Sequence, residues 1–138
     1  MRTLGLDVGD KRIGFALSDS MGMLAQALKL YTRGTVQNDL DELDELVHAH
    51  DVKEIVVGLP KDLSGAMGKR AQSVAAFAEQ IERHTGLRVI LWDERFSTNE
   101  ANRIFDMAQM NHKKRKPFID MMASQIILQG YLDAPKTE

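Results

Sequence analysis

The sequence predicts an α/β domain: a mixed five-stranded sheet, three antiparallel hairpin strands plus two parallel ones, flanked by helices on both faces. Three observations carry this. The first thirty or so residues alternate apolar and polar positions between glycine-containing turns, as hairpin strands do. Two later runs, Ile55-Val56-Val57-Gly58-Leu59 and Val89-Ile90-Leu91-Trp92, are continuously apolar, as strands covered on both faces are. Between and after them, apolar residues recur at helical spacing.

In chain order, Thr3, Leu4 and Leu6 form a first strand that ends in a carboxylate, Asp7. Val8-Gly9-Asp10 is turn chemistry, and Ile13, Phe15 and Leu17 mark a second strand. The segment from Met23 to Tyr31 is a third strand, alternating from Leu24 onward after the turn at Gly22. Arg33 to Asn38 reads as a loop. Leu40, Leu43, Leu46 and Val47 then define an amphipathic helix of about three turns. Its acids, Asp39 to Glu45, are expected on a solvated face.

Lys53-Glu54 leads into the first buried strand, which Pro60 stops. Lys61 to Lys69, with Gly65 and Gly68, reads as an irregular loop. Ala71, Val74, Ala75, Ala78 and Ile81 mark a helix that ends near Gly86. The second buried strand exits into Asp93-Glu94-Arg95. Ser97-Thr98-Asn99-Glu100 fits a capping box, with Ala101, Ile104, Phe105 and Ala108 on the inner side of the helix that follows. The basic run His112-Lys113-Lys114-Arg115-Lys116 reads as a loop, and Pro117 as the first turn of a last helix. Ile119, Met122, Ala123, Ile126 and Ile127 make that helix apolar around much of its circumference, Tyr131 ends it, and residues from about 133 to 138 form a frayed tail.

Composition sets outer limits. The 138 residues suit one domain, residues 1–138, with one core. Hydrophobic residues make up 43% and charged residues 28%, which excludes a disordered chain. No apolar run approaches the roughly 18–20 residues of a membrane span, and no signal peptide is expected before the first strand. There are no cysteines, so disulfides, thiolate nucleophiles and Cys-based zinc sites are excluded, in keeping with a reducing cytoplasm. The net charge is −2, so any nucleic-acid affinity must come from local clusters such as residues 112–116 rather than from the total. His48, His50, His84 and His112 share no metal-ligand spacing with the acids, and the methionines at 107, 110, 121 and 122 read as core filling.

Right-handed crossovers set strand four beside strand one, which is the layout of the ribonuclease H-like fold. Sites of open α/β sheets lie beyond the carboxyl ends of the parallel strands. Asp7, the pair Asp93-Glu94 and Asp120 are the acids expected at that edge. Divalent cations about 3.5–4 Å apart, held by such carboxylates, can activate a water and stabilise the leaving oxygen of a phosphodiester. Magnesium or manganese suits an all-oxygen ligand set. Asp120 is the most telling of the acids, because its neighbours Ile119, Met121 and Met122 are apolar and an unpaired buried carboxylate is costly. The plainer alternatives are stabilisation of a helix N-terminus for Asp120 and an ion pair of Asp93-Glu94 with Arg95.

Four stretches, L-G-L-D-V-G-D-K-R-I-G-F-A-L-S-D, I-V-V-G-L-P-K-D-L-S-G, V-I-L-W-D-E-R-F-S-T-N-E-A and I-D-M-M-A-S-Q-I-I-L-Q-G-Y-L, resemble the YqgF/RuvX family and run in family order from Leu4 to Leu132. The resemblance implies a cytoplasmic, metal-dependent nuclease that processes the 5′ end of precursor 16S ribosomal RNA. Its relatives in fold are Holliday-junction resolvases. By motif, the catalytic and metal-holding acids fall on Asp7, Glu94 (or its neighbour Asp93) and Asp120.

One departure stands out. The resolvase relative carries its second acid on strand four, whereas strand four here ends in Gly58-Leu59-Pro60. With strand four between them, Asp7 and Glu94 start roughly 9–10 Å apart. Alternation sets Asp93 and Glu94 on opposite faces, and the sequence leaves open which one faces Asp7.

Nucleic-acid contacts are expected from Lys11 and Arg12 in the first turn and from Lys61, Lys69 and Arg70 around the glycine-containing loop. Arg95 and the run Lys113, Lys114, Arg115 and Lys116 complete the set. Aromatic residues are sparse in these segments, so shape and backbone recognition of structured RNA is expected over sequence readout. A four-way DNA junction is the alternative substrate, and a junction resolvase should be a dimer. Ribosomal particles are a further expected partner, membranes are not, and a monomer or weak homodimer is expected. Two rival classes remain. One is a non-catalytic RNA-binding assembly factor. The other is an ATP-binding lobe like those of sugar kinases, suggested by Asp7-Val8-Gly9 followed by Gly14, although such proteins need two lobes.

Overall fold

The structure, a computed structural model, describes residues 2–61, 64–93 and 112–135, with residues 112–120 described as backbone only. Its strands are β1 (Arg2–Val8), β2 (Arg12–Ser18), β3 (Ala25–Thr32), β4 (Val52–Leu59) and β5 (Arg88–Asp93). Its helices are α1 (Val36–His50), α2 (Lys69–Thr85) and α3 (His112–Asp133). The strands form one sheet in the order β3-β2-β1-β4-β5. β1, β2 and β3 pair antiparallel, while β4 and β5 run parallel to β1. This is the predicted mixed sheet, with strand four beside strand one. No described helix is long and apolar enough to cross a membrane.

The two faces of the sheet are covered differently. Leu4, Leu6 and Val8 of β1, Ile13 and Phe15 of β2, and Ile55 and Val57 of β4 point to one side. There they meet Leu40, Leu43 and Leu46 of α1 and Val74, Phe77, Ala78 and Ile81 of α2. The alternate positions face α3 in a smaller cluster: Ala16, Ala25 and Val56 with Ile127 and Leu128, flanked by Ile90, Trp92 and Tyr131. A Cβ placed on Gly5 would lie 2.7 Å from Leu128 Cβ, so only glycine lets α3 approach β1 this closely.

The helix boundaries follow from local chemistry. Thr35 caps α1, its hydroxyl accepting the Asn38 N–H. α2 stops at Gly86, which takes the left-handed conformation with φ 72°.

Three expectations need correction. The carboxylates of α1 do not all face solvent, because Asp39 is fully buried. It lies four residues before Leu43 on the inward row of the helix, where its charge is satisfied by donors described below. The basic run 112–116 is not a loop before the last helix but its first turns, and Pro117 lies inside α3. Lysine and arginine are strong helix formers, and they carry the helix through Pro117, its sixth residue, at the cost of the backbone bond its missing N–H would make. In the same way Lys69, read as the end of a loop, is the first residue of α2. The expected helix over residues 97–108 lies outside the described residues.

Candidate active site

Asp7 sits one residue before the end of β1 and is half-buried. It pairs in register with Gly14 of β2. On its other side Leu6 pairs with Val57, so the next step of the parallel ladder sets Gly58 of β4 level with Asp7. Gly58 in turn aligns with Trp92 of β5. The carboxylate therefore stands between two residues without side chains, and the sheet beside it is a glycine floor reaching to Trp92.

An open pocket of about 280 Å³ lies here. Asp7, Asp10, Lys11, Arg12 and Arg70 line it, with Gly9 and Gly14. Among the described residues, three cations and two acids thus meet where the first β-turn approaches the start of α2. That helix begins at Gly68 with no side-chain cap, and its first turn carries Lys69 and Arg70 and no acid. Cations at a helix N-terminus oppose the helix dipole, so this end is positive twice over and suits an anion. Lys61 lies just beyond β4.

The returning helix adds a second element. The carbonyl of Ser124 lies 3.4 Å from the Cβ that Gly5 would carry. Further along α3, Tyr131 donates its hydroxyl hydrogen to Glu54 Oε1 at 3.1 Å, and Glu54 aligns with Thr3. α3 therefore runs from the Asp7 end of β1 toward the Thr3 end. Position 120 lies one turn before Ser124, about 6 Å back along the helix axis. Asp7 lies two residues beyond Gly5 on the same face, about 6.6 Å along the strand. Backbone position 120 is thus level with Asp7.

α3 is held at this height by polar clamps as well as packing. Gln129 Oε1 accepts the Ala25 N–H at 2.8 Å, and Gln125 Nε2 donates to the Ala25 carbonyl at 3.1 Å. Burial, and then the charge of Glu54, hold the Tyr131 hydroxyl above the ordinary tyrosine range.

Asp93 ends β5 on the other face. Ile90 and Trp92 belong to the α3 side and Val89 to the α1/α2 side, so alternation puts Asp93 with Val89, opposite Asp7. Glu94 and Arg95 lie outside the described residues. The backbone of Lys113, Lys114, Arg115, Lys116 and Asp120 belongs to α3.

Two groups escape a reading by sequence spacing. Asp41 and Asp44 of α1 and His84 of α2 offer ligand atoms within 4.8 Å of one another, a group able to hold a metal ion. His84 Nε2 and Asp44 Oδ2 are 2.6 Å apart. Sequence spacing gives no sign of this contact, because it joins residues 40 positions apart on different helices. It lies in the last turn of α2, toward the sheet edge opposite Asp7. The other group is the buried Asp39 with Arg33. Its signal was the helical period, which puts position 39 inward with Leu43 and Leu46.

A sheet of this order, with an acid near the end of its first strand and a late helix returning across the acid-bearing face, defines the ribonuclease H-like class. Within it the chain belongs to the RuvX family, whose model, described as "RuvX: Holliday junction resolvase", matches residues 1–134. A relative from Symbiobacterium thermophilum is 47% identical over 134 residues, covering 97% of this chain and 93% of its own. One from Carboxydothermus hydrogenoformans is 43% identical over 133 residues, 96% of each chain. Both bear the name "Putative pre-16S rRNA nuclease". The fold is shared with T. thermophilus RuvC, solved in complex with Holliday junction substrate, at TM-score 0.61 and 11% identity over 96% of this chain and 94% of that one.

Proposed function

We propose that this protein is a divalent-metal-dependent nuclease hydrolysing phosphodiester bonds, acting in the cytoplasm on structured precursor 16S ribosomal RNA at its 5′ end. The observation that carries the reading is the pocket at Asp7. A half-buried carboxylate stands on a glycine floor, beside Lys11, Arg12 and Arg70 and level with helix position 120. The names of the near full-length relatives support the substrate.

In this reading Asp7, Glu94 and Asp120 hold magnesium or manganese. Asp7 suits this role: it offers carboxylate oxygens at an open pocket, and an all-carboxylate set suits a hard cation. When bound, such an ion supplies activation of water and charge stabilisation at the cleaved phosphate. The facing of Asp93 away from Asp7 favours Glu94 as the ligand after β5. Gly58, lacking a side chain, leaves the way open across β4. Lys11, Arg12 and Arg70, with Lys61, Lys69, Arg95 and the first turns of α3 at Lys113, Lys114, Arg115 and Lys116, hold the flanking backbone. Their job is to fix the strand so that one phosphate lies over the glycine floor, a positioning contribution that needs no base readout.

The test is a cleavage assay of the protein and its Asp7→Asn variant with magnesium or manganese. An RNA carrying the 16S 5′ leader and a four-way DNA junction are offered side by side. RNA cleavage that falls about 100-fold or more in the variant and vanishes in chelator is the expected result. Symmetric cutting of the junction alone moves the activity to recombination. RNA bound but never cut leaves a binding factor in place of an enzyme.

A further inference from the structure

We infer that Arg33 and Asp39, both remote in sequence from the proposed catalytic acids, are positioning residues that hold the β1–β2 turn in the shape that grips the nucleic-acid backbone. The inference rests on the nuclease reading above and adds to it a buried device on the opposite side of the turn.

Arg33 leaves the end of β3 and touches three elements at once. Its Nη1 donates to the Gly9 carbonyl at 2.9 Å, and its own backbone N–H donates to the Lys11 carbonyl at 2.9 Å. Two carbonyls of the turn are thereby engaged by one residue. The turn is closed from within by the Gly9 N–H, which donates to the Arg12 carbonyl at 2.8 Å. A Cβ on Gly9 would lie 2.9 Å from that same carbonyl oxygen, so the turn has one tight shape. Its side chains Lys11 and Arg12 line the pocket at Asp7.

The other half of the guanidinium faces inward. Nε donates to Asp39 Oδ2 at 2.9 Å, and the guanidinium carbon lies 4.9 Å from the Phe77 ring centre on α2. Asp39 is fully buried yet well supplied with donors: it also accepts the Gly34 N–H at 3.0 Å and a hydrogen bond from the Tyr31 hydroxyl. Buried carboxylates need such saturation. Here it fixes Arg33 against α1 and α2, so the turn is referenced to the rigid helical layer. Carbonyl oxygens left loose in the turn could swing toward a phosphate and repel it; Arg33 occupies them.

The planar fork is essential to this role, because lysine matches its charge but cannot bond Asp39 and Gly9 together while stacking on Phe77. The test compares wild type, Arg33→Lys and Asp39→Asn by affinity for the 16S-leader RNA in chelator, by cleavage kinetics with magnesium, and by thermal melting. In Arg33→Lys, Kd and KM should rise about tenfold, the equivalent of one charge-assisted hydrogen bond, while kcat stays within about twofold. A purely structural role would lower the active fraction and so kcat, leaving KM alone. In a Lys11→Ala/Arg12→Ala background, Arg33→Lys should add little, since the side chains it positions are gone. Asp39→Asn, which keeps the shape but not the charge, should act in the same direction. Unchanged Kd and KM in a folded Arg33→Lys protein, or full additivity with the double variant, overturns the inference. Wild type that neither binds nor cuts the RNA overturns the RNA-nuclease reading itself.

Discussion

The two faces of the sheet do different work. On the α1/α2 side, stabilisation comes from area: Leu4, Leu6, Ile13, Phe15, Leu43, Ile55, Val57 and Ile81 are fully buried in one apolar layer. On the α3 side the apolar cluster among the described residues is smaller, and the helix is also set by close approach at Gly5 and by side-chain bonds from Gln125, Gln129 and Tyr131. Apolar contact is proportional to area and indifferent to small slips, whereas a glycine contact and directed hydrogen bonds fix register. The face that carries Asp7 is thus held by the interactions that specify position, and the opposite face by those that supply stability.

The largest effect that would sharpen this contrast is expected from Leu43→Ala. It should cost about 2–5 kcal/mol of stability, read by urea unfolding, through lost transfer energy and a cavity under α1. Cleavage per folded molecule should be unchanged. A matching loss of kcat at temperatures where the variant is fully folded would break the comparison.

Gly5→Ala should cost less stability, about 1–3 kcal/mol, because the added methyl collides with Leu128 and must push α3 away. Its effect on cleavage should nevertheless exceed that of Leu43→Ala. Equal cleavage in Gly5→Ala and wild type would mean that the height of α3 does not matter to the chemistry.

The smallest effect concerns pH. Burial raises the proton affinity of Tyr31 and Tyr131 in the folded chain. Groups whose folded pKa is raised stabilise fully below the unfolded value of about 10, and that stability is lost as pH climbs through the higher folded value. Melting temperature should therefore fall above about pH 10, and less steeply in Tyr131→Phe. Identical slopes would exclude Tyr131 as a contributor.

Most of the sheet was legible because its signals are local. Glycine turns separate the hairpin strands, continuous apolar runs mark β4 and β5, and chirality fixes where β4 goes. Asp7 was legible for the same reason, as an acid at a strand's end. What escaped depends on contacts distant in sequence or on residue type masking position. Asp39 sits in an acidic run whose other members are exposed or half-buried, and the donors from Arg33, Gly34 and Tyr31 make its fully buried position tolerable. His84 meets Asp44 only because two helices lie side by side. The glycine floor needed strand register, which joins Gly14, Asp7 and Gly58 from three separate segments. The helical state of residues 112–116 has no clear local sign, because Pro117 just after them favours a helix start at itself.

The lateness of α3 in the chain has a temporal consequence. The sheet and the α1/α2 layer are complete by residue 93, and their contacts are relatively close in sequence. The bond from Ala25 to Gln129 spans 104 residues, and that from Glu54 to Tyr131 spans 77. Long-range closures of this kind come late in folding, because chain entropy is lost before the contact is gained. During synthesis, then, the stable half of the molecule can form around an Asp7 that still lacks its opposing helix. In the proposed mechanism the site stays incomplete until α3 has docked, so a nascent chain without that helix would not cleave.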